Sequence, residues 1–368
     1  MSKRLCILFG TRPEFIKLLP VILKFKELNC SFSLVNTGQH KEVLNELLAF
    51  FNIEIDYDLA VMKTCSDLSS LSTVLTSRIS PILAEISPDI LVVQGDTTSA
   101  YIGALCAFYQ KVPVAHVEAG LRSGDDYSPF PEEMNRKLIS QIAQYHFAPT
   151  KRSVDILVAE GISTGVYCVG NTVIDSLFYV SKNYNLTSLL KESNIAIMEG
   201  HKKLILMTCH RRENFGDPFK NICNAVIQLL HERDDIHVVF PVHPNPNIKD
   251  LAYQELNHPS ISLIDSVGYP QLVSLIQKSY LILTDSGGIQ EEAPSLGKPV
   301  LVIRDTTERV EGIDAGVSKL VGTSSESIVN AVNDLCDNSD SYNKMSKVVN
   351  PYGDGRSADK ICEILCKL

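Results

Sequence analysis

The sequence predicts an α/β protein built from two doubly wound parallel-sheet, Rossmann-like domains that face each other across a cleft. Short, continuous apolar runs alternate with longer helical patterns along the chain, as expected of strands that are buried on both faces of parallel sheets. Turns that contain glycine follow several of these runs directly. The length of 368 residues is too great for one compact core and indicates about two domains.

In the N-terminal half, apolar runs predict strands that are each followed by a turn and a helix. After the first run and Gly10, Thr11 is placed to cap a helix, Pro13 fits its first turn and Glu14 favours its positive end. Pro20 lies inside this helical pattern and predicts a kink. The predicted strands are Leu5–Phe9, Ser31–Asn36, Asp89–Gln94 and Val112–Val117, and the later helices are about Lys41–Phe51, Asp67–Ile86 and Ser99–Tyr109.

The C-terminal half repeats this plan in architecture but not in sequence. Its predicted strands are Leu204–Thr208, His237–Pro241, Ile261–Ile264, Leu281–Thr284 and Pro299–Ile303. We therefore expect an N-terminal domain over residues 1–170, a C-terminal domain over 171–350 and a final helical segment over 351–368. In two such domains that face a cleft, ligands bind at the carboxyl ends of the strands.

Composition is typical of a globular enzyme and argues against several other classes of protein. The net charge of −9 argues against a general surface for nucleic acid or anionic membranes, so any anion has to be held by local groups. The ten cysteines form no Cys-x-x-Cys pair and no zinc-like cluster, and we expect reduced thiols and no metal. The first apolar run is too short for a signal peptide or a membrane span, which favours a cytoplasmic protein.

A glycine pair, Gly287 and Gly288, separates the predicted strand Leu281–Thr284 from a helical pattern. The first N–H groups of a helix have no partner within it and lie at the positive end of its dipole, so a phosphate is the usual occupant. Glu291 and Glu292, one turn into the helix, suit the hydroxyls of a ribose. The alternative is a glycine-rich connection that binds nothing.

Five polar residues each follow an apolar run immediately, where open α/β sheets bind ligands. These residues are Arg12, Asp96, Glu118, His210 and Asp285. Each alone has a structural explanation, such as a surface ion pair, a helix cap or a loop anchor. Five such coincidences at strand ends favour a functional site.

Glu132 adds a third carboxylate to Asp96 and Glu118. Pro131 opens a predicted helix whose first turn carries Glu132 and Glu133. Crowded carboxylates raise one another's pKa, which yields one protonated acid and one ionised base near neutral pH. Arginines that are candidates for compensating charge and phosphate contacts, with solvated surface as the alternative, are Arg211, Arg212, Arg304 and Arg309.

A series of polar motifs stands in a fixed order along the chain. The motifs are Gly10-Thr11-Arg12-Pro13-Glu14 with Ile16-Lys17, Gly95-Asp96-Thr97-Thr98, His116-Val117-Glu118-Ala119-Gly120-Leu121-Arg122, Pro131-Glu132-Glu133-Met134-Asn135-Arg136, Gly170-Asn171-Thr172-Val173-Ile174-Asp175, His210-Arg211-Arg212-Glu213, Thr284-Asp285-Ser286-Gly287-Gly288-Ile289-Gln290-Glu291-Glu292 and Asn350-Pro351-Tyr352-Gly353-Asp354-Gly355. Together they cover essentially the whole chain, and the ordered set resembles the non-hydrolysing UDP-N-acetylglucosamine 2-epimerases.

The resemblance implies a GT-B-like fold that binds UDP in the cleft, with a last helix that crosses back to the N-terminal domain. It implies interconversion of UDP-GlcNAc and UDP-ManNAc for cell-surface polysaccharide synthesis, by homodimers that use neither metal nor nicotinamide. By the same resemblance, the catalytic residues are Asp96, Glu118, Glu132 and His210. The residues implied to bind the UDP-sugar are Arg12, Lys17, Arg136, Ser286, Gly287, Gly288, Glu292 and Arg309.

The implied reaction explains these residue types. The hydrogen on C2 of the sugar is not adjacent to a carbonyl, so expulsion of UDP from C1 has to activate it, leaving a 2-acetamidoglucal. Such an elimination needs acid and base groups around C2, a firm hold on the departing diphosphate and exclusion of water.

Other functions remain open at this point. The alternatives are a related 2-epimerase that acts on a UDP-2,3-diacetamido sugar, a hydrolysing epimerase, a GT-B glycosyltransferase and a catalytically silent UDP-sugar sensor. Some family members also carry an activating second site lined by a Gln-His segment, here Gln39 and His40. Glu42 stands where regulated relatives can carry an amide, and a carboxylate there disfavours a nearby diphosphate.

Overall fold

The chain divides into two compact units, which are Met1–Ser176 with Gly353–Leu368, and Leu177–Tyr352. The computed structural model describes residues 3–39, 41–64, 66–192 and 203–367. His40 and Cys65 fall outside these ranges, and the expectation about a second substrate site stays a prediction. Each unit contains one parallel sheet with helices between its strands, which confirms the predicted fold class.

The N-terminal unit is built on a seven-stranded parallel sheet in the order β3-β2-β1-β4-β5-β6-β7. Its strands are β1 Arg4–Phe9, β2 Ser31–Asn36, β3 Tyr57–Asp58, β4 Ile90–Gln94, β5 Val114–Val117, β6 Tyr145–Ala148 and β7 Val166–Cys168. Its helices are α1 Arg12–Glu27, α2 Lys41–Phe50, α3 Leu68–Ile86, α4 Thr98–Tyr109, α5 Glu132–Ile142, α6 Lys151–Ala159 and the first part of α7 Thr172–Asn183.

The C-terminal unit is built on a six-stranded parallel sheet in the order β10-β9-β8-β11-β12-β13. Its strands are β8 Lys203–Thr208, β9 Ile236–Val242, β10 Ile261–Asp265, β11 Leu281–Thr284, β12 Val300–Val302 and β13 Ser318–Leu320. Its helices are α8 Leu186–Glu192, α9 Asp217–Glu232, α10 Pro246–Glu255, α11 Tyr269–Lys278, α12 Gly287–Glu292, α13 Val310–Ala315, α14 Ser325–Asp337 and α15 Ser339–Ser346.

The inner strands of the C-terminal sheet, β9, β8, β11 and β12, are buried on both faces, as their continuous apolar sequences predict. Ile205 and Met207 of β8 join a core with α9 and α14. Leu204 and Leu206, which point the other way because side chains alternate along a strand, join a second core with α11. Helices on both faces of the sheet cover these residues.

The last helix, α16 (Ser357–Lys367), belongs to the N-terminal unit and packs on α1. Lys24 of α1 lies 3.1 Å from Asp359, and the thiol of Cys362 lies 3.8 Å from the carbonyl oxygen of Val21. The backbone N–H of Ala358 donates to the carboxylate of Asp175 at 2.8 Å. The end of the chain therefore completes the unit that its beginning starts.

Four short strands were not predicted from the sequence: β3, β6, β7 and β13. They are two to four residues long. Polar residues such as His146 interrupt their apolar character, so periodicity alone cannot separate them from loops. Among the described helices, none is both long and apolar enough to span a membrane.

The strand order of each sheet reverses once, between β1 and β4 and between β8 and β11. In open α/β sheets, ligands bind at the carboxyl ends of the strands beside such a reversal. The loops that follow these four strands contain four of the eight polar motifs of the sequence, and each unit is described in turn below.

Candidate functional site

The turn after β1 is held by a capping box between Thr11, the predicted helix cap, and Glu14. Oε2 of Glu14 accepts hydrogen bonds from the backbone N–H groups of Gly10 and Thr11 at 3.1 and 2.8 Å, while Oε1 accepts from the Thr97 hydroxyl at 2.7 Å. Glu14 thereby joins the turn after β1 to the loop after β4. Helix α1 starts with half-buried Arg12 and presents Lys17 one turn later.

Glu118, directly after β5, has a left-handed backbone conformation with φ of +68°. Its N–H donates to the carbonyl oxygen of Phe147 at 3.0 Å, which pins the backbone to β6. Its carboxylate forms an ion pair with Lys17, whose Nζ lies 2.6 and 2.7 Å from the two oxygens. Amide donors from Gln94 and Asn171 also contact this carboxylate, and neither residue was predicted to be part of the site.

Asp96, two residues after the end of β4, is bound by Arg136 of α5. The Nε and Nη2 atoms of Arg136 lie 2.9 and 2.6 Å from Oδ2 of Asp96, while Nη1 donates to Glu133 at 2.9 Å. Burial raises the pKa of Glu133, but a hydrogen bond from the Ser123 N–H and the charge of Arg136 outweigh this effect and lower the pKa overall. Asp96 and Glu133 thus share one guanidinium.

Glu132 is the first residue of α5, and its Oε2 is buried without a hydrogen-bond partner among the residues that the structure describes. The same helix is tied to the loop after β4, because the Asn135 side chain donates to the Asp96 carbonyl at 2.9 Å. A Cβ on neighbouring Gly95 would lie 3.8 Å from Oε2 of Glu118. The structure therefore brings Asp96, Glu118 and the start of α5 to one edge of the N-terminal sheet.

His116 of β5 is a buried residue that supports this edge and was not predicted to do so. Its Nε2 lies 2.7 Å from the carbonyl oxygen of Gly95 and must donate, because a carbonyl can only accept. Burial lowers the pKa of His116 to about 3, so the ring stays neutral near pH 7. The ring anchors the residue that precedes Asp96.

In the C-terminal unit, Asp285 and His210 lie together where β11 and β8 end. Oδ2 of Asp285 accepts from the backbone N–H groups of His210 and Arg211 at 2.8 Å each, and from the Asn214 side chain at 3.0 Å. Its Oδ1 lies 3.0 Å from Nδ1 of His210. Burial alone would raise the pKa of Asp285, but the His210 side chain and the backbone donors lower it to about 2.

This arrangement determines two properties of the His210 imidazole, its tautomer and the orientation of its ring. A carboxylate accepts hydrogen bonds, so the proton of the neutral ring belongs on Nδ1 and Nε2 is the acceptor nitrogen. The ring of His243, from the end of β9, stacks on that of His210 with centroids 5.8 Å apart. Asp285 and His243 therefore fix both the tautomer and the plane of the His210 ring.

The predicted phosphate turn, Ser286 to Gly288, leads from β11 into α12, with Ser286 at the N-cap. Arg309 lies beside it, because a Cβ on Gly287 would be only 3.1 Å from the guanidinium carbon. Glu291, predicted as a candidate for ribose, instead pairs with Arg309, whose Nε lies 2.9 Å from its Oε1. Glu292 is buried and accepts a hydrogen bond from the hydroxyl of Tyr269 at 2.8 Å.

Arg304, a candidate for phosphate contacts, is buried and occupied by carboxylates of its own unit. It contacts Glu213 closely and forms hydrogen bonds to Glu308 at 2.9 and 3.2 Å. The guanidinium of Arg304 thus joins Glu213 and Glu308 within the C-terminal unit. Among the described residues, no group of three or more histidine, cysteine or acidic side chains is arranged to hold a metal ion.

Comparison with known proteins gives one consistent result. The family model for UDP-N-acetylglucosamine 2-epimerases matches residues 24–366. A UDP-N-acetylglucosamine 2-epimerase of Campylobacter jejuni is 46% identical, over 100% of this chain and 98% of its own. The crystal structure of a UDP-GlcNAc 2-epimerase from Neisseria meningitidis bound to UDP-GlcNAc is similar with a TM-score of 0.92, at 43% identity over 99% of this chain and 100% of that chain.

A more distant solved structure has the same architecture. The UDP-GlcNAc 2-epimerase of Methanocaldococcus jannaschii, in complex with UDP-GlcNAc and UDP, is similar with a TM-score of 0.80, at 33% identity over 99% of this chain and 100% of that chain. This chain is thus similar to these proteins in both sequence and fold over 99% or more of its length.

Proposed function

This chain belongs to the UDP-N-acetylglucosamine 2-epimerase family and is an isomerase of the non-hydrolysing type, and on that premise we propose how its residues act. The reaction interconverts UDP-GlcNAc and UDP-ManNAc. UDP leaves C1 as the C2 hydrogen is removed, which gives a 2-acetamidoglucal. Protonation of C2 on the opposite face and return of UDP to C1 then complete the epimerisation.

The observation that carries this proposal is the different environment of three carboxylates in the N-terminal unit. Asp96 pairs with Arg136, Glu118 pairs with Lys17, and Glu132 keeps a buried oxygen without a hydrogen-bond partner among the described residues. Proton removal from one face and delivery to the other require two groups in different protonation states. Asp96 and Glu118 each lie against a cation, whereas the buried oxygen of Glu132 has no hydrogen-bond partner within the described ranges.

The residues of the C-terminal unit suit UDP. We assign the diphosphate to the Ser286–Gly288 turn, to Arg309 and to Nε2 of His210, and the ribose hydroxyls to Glu292. Backbone N–H groups at a helix start and a guanidinium favour phosphate oxygens. As an imidazolium, with a proton on each ring nitrogen, His210 can donate through Nε2 to the departing phosphate oxygen as the C1–O bond breaks. Arg12 of the N-terminal unit is assigned to the same diphosphate by the family resemblance.

Assembly and location belong to the proposal as well. The family resemblance supports a homodimer, and light scattering coupled to size-exclusion chromatography tests it directly. It also supports a cytoplasmic enzyme that supplies UDP-ManNAc for cell-surface polysaccharide. No helix that could span a membrane occurs in the described part of the chain.

Incubation with UDP-GlcNAc in deuterated water, followed by NMR, tests the function. We expect deuterium at C2 and UDP-ManNAc in equilibrium with the substrate. Accumulation of free ManNAc with UDP would show hydrolysis, and binding without exchange would contradict the epimerase function. Running the same experiment with a UDP-2,3-diacetamido sugar distinguishes the related substrate.

The variant Asp96→Asn separates chemistry from binding. We expect it to retain UDP affinity, measured by calorimetry, and to lose exchange at C2, because the carboxylate that Arg136 holds is replaced by an amide. Unimpaired exchange would remove Asp96 from the mechanism.

A further inference from the structure

The carboxylate of Glu118 contacts donor groups from three elements. Lys17 on α1 donates to both oxygens, at 2.6 and 2.7 Å. Asn171, which precedes α7, donates through Nδ2 to Oε1 at 3.2 Å, and Gln94 at the end of β4 donates through Nε2 to Oε2. An ammonium group and amide nitrogens can only donate hydrogen bonds. These contacts therefore favour the ionised, acceptor-only form of Glu118.

The orientation of the Asn171 amide is determined by a second contact. Its Oδ1 accepts a hydrogen bond from the backbone N–H of Val173 at 3.1 Å, which caps the start of α7. The amide nitrogen must then face Glu118. In the opposite orientation the amide nitrogen would face the Val173 N–H, donor against donor, and the amide oxygen would face the Glu118 carboxylate, acceptor against acceptor. Asn171 is only 2% exposed, so both contacts are shielded from bulk solvent.

Gln94 approaches the same carboxylate from the sheet. It is the last residue of β4, is 2% exposed and lies in register with Val117 of β5, the residue before Glu118. Glu118 itself is confined by its left-handed backbone and by the bond from its N–H to Phe147. Position and direction of the carboxylate are thus fixed by backbone and side chains together.

We propose that Asn171 and Gln94 are positioning residues that hold Glu118 as a permanent anion, so that Glu118 orients Lys17 while Asp96 and Glu132 carry the proton of C2. This inference rests on the proposed epimerase reaction. Protonation of Glu118 would set a new O–H donor against groups that are donors already. The buried Oε2 of Glu132 has no hydrogen-bond partner within the described ranges, so it can take up a proton without displacing a hydrogen-bond donor.

The titratable groups near Glu118 come from several elements. Lys17 lies on α1, His116 on β5 and Asp96 on the loop after β4. His116 is buried and has a pKa of about 3, so it stays neutral over the pH range of an assay. Asp96 forms an ion pair with Arg136, which balances its charge. Asp96 and Glu132 carry the proton and so also shape the acid limb of the pH profile, and Glu118 is identified by a shift of that limb in variants that remove only a contact of Glu118.

Two substitutions of Asn171 separate positioning from helix capping. Asn171→Asp and Asn171→Ser both retain an oxygen that can accept from the Val173 N–H, and both remove the amide nitrogen that donates to Glu118; the serine side chain ends one bond short of that nitrogen. We expect kcat to fall by about tenfold to a hundredfold, as when a reacting group is slightly misplaced, with KM for UDP-GlcNAc almost unchanged. The acid limb of kcat should move to higher pH, and further for Asn171→Asp, whose new charge opposes ionisation of Glu118.

Asn338→Asp is the matched control, because Asn338 also caps a helix through its side chain but is exposed on α15. It should keep the kcat and the pH profile of the wild type. Gln94→Met removes the other amide donor and should shift the acid limb in the same direction as Asn171→Ser. Thermal unfolding of each variant verifies that the fold is retained.

Wild-type kcat and acid limb in both Asn171 variants would overturn the inference. So would a lower kcat with an unshifted acid limb, since that result indicates that the Asn171 amide does not act on the ionisation of Glu118. Failure of the wild-type enzyme to exchange the C2 hydrogen is a separate result that overturns the proposed function itself.

Discussion

Arg309 packs against the backbone of Gly287 so closely that a Cβ on residue 287 would lie 3.1 Å from its Cζ and 3.3 Å from its Nε. The arginine cannot move away freely, because its Nε is bound to Oε1 of buried Glu291 at 2.9 Å. The absence of a side chain at residue 287 therefore allows this close packing, in addition to any contact with phosphate.

From this packing we predict that Gly287→Ala weakens the binding of UDP. The added methyl group has to displace Arg309 by a few tenths of an ångström, and a displaced guanidinium makes poorer phosphate contacts. We expect the Kd of UDP to rise about tenfold, which corresponds to about 1.4 kcal/mol. Titration calorimetry measures the change, and an unchanged Kd would show that Arg309 is not needed for the diphosphate.

Gly288→Ala is the matched comparison. A Cβ at residue 288 would meet Oε2 of Glu292 at 3.7 Å, which is an ordinary contact. If the protein's own packing causes the effect, Gly288→Ala should raise the Kd of UDP less than Gly287→Ala does.

The second prediction concerns the acid stability contributed by Asp285. Its pKa is about 2 in the folded protein, below the value near 4 of an unfolded aspartate, so the folded state binds fewer protons. The stabilisation is complete above pH 4, amounts to about 2 kcal/mol and is lost as the pH falls toward 2. Asp285→Asn should lower the free energy of unfolding at pH 7, and its difference from the wild type should shrink with acidification.

Urea unfolding between pH 7 and pH 3 measures this dependence. Asp305→Asn removes the same charge from an exposed position of the same unit and should parallel the wild type. A constant difference between Asp285→Asn and the wild type at all pH values would contradict the assignment of the low pKa to Asp285.

The strand-end positions of the site could be predicted from the sequence, but their partners could not. Apolar runs place Asp96, Glu118 and Asp285 at strand ends, and the structure confirms those positions. Which residues form hydrogen bonds with one another depends on contacts between segments that are far apart in the sequence. Asn171 and Glu118, for example, are separated by 53 residues. No local periodicity encodes that contact, and the motif Gly170–Asp175 contains Asn171 without indicating which residue it contacts.

Burial explains the other differences between prediction and structure. The sequence indicates that Arg304 and Glu291 are charged residues near a turn, and charged residues are usually exposed. In the folded unit both are buried in ion pairs, with Glu308 and Arg309. Such pairs are decided by tertiary packing, which a single sequence does not reveal.

The third prediction tests the ribose contact assigned to Glu292. Glu292→Gln removes one acceptor oxygen, so the discrimination between UDP and 2′,3′-dideoxy-UDP should decrease. A lost hydrogen bond to a charged group is worth about 1.5–3 kcal/mol, or at least about tenfold in Kd. Calorimetry with both ligands measures it, and equal discrimination by wild type and variant would place the ribose elsewhere.

Tyr269→Phe provides a graded variant for the same site. The hydroxyl of Tyr269 donates to Oε1 of Glu292 at 2.8 Å. Its removal leaves the carboxylate in place but less firmly oriented, so the loss of discrimination should be smaller than in Glu292→Gln.

The fourth prediction arises from the buried carboxylate of Glu14. Burial raises its pKa to about 7, although the hydroxyls of Thr97 and Thr11 and two backbone N–H groups oppose the shift. The folded protein therefore binds more protons than the unfolded chain between these pKa values. Stability from this group is fully present below pH 4.5 and declines by about 3 kcal/mol as the pH rises through 7.

Glu14→Gln should abolish this decline. The glutamine oxygen can take the place of Oε2 beside Gly10 and Thr11, and its amide group can donate to Thr97, because a hydroxyl accepts as well as donates. Urea unfolding of the wild type should thus show falling stability between pH 5 and pH 8, and that of Glu14→Gln should not. Glu27→Gln, at the exposed end of the same helix, should follow the wild type, and parallel curves for all three proteins would show that Glu14 is ionised throughout.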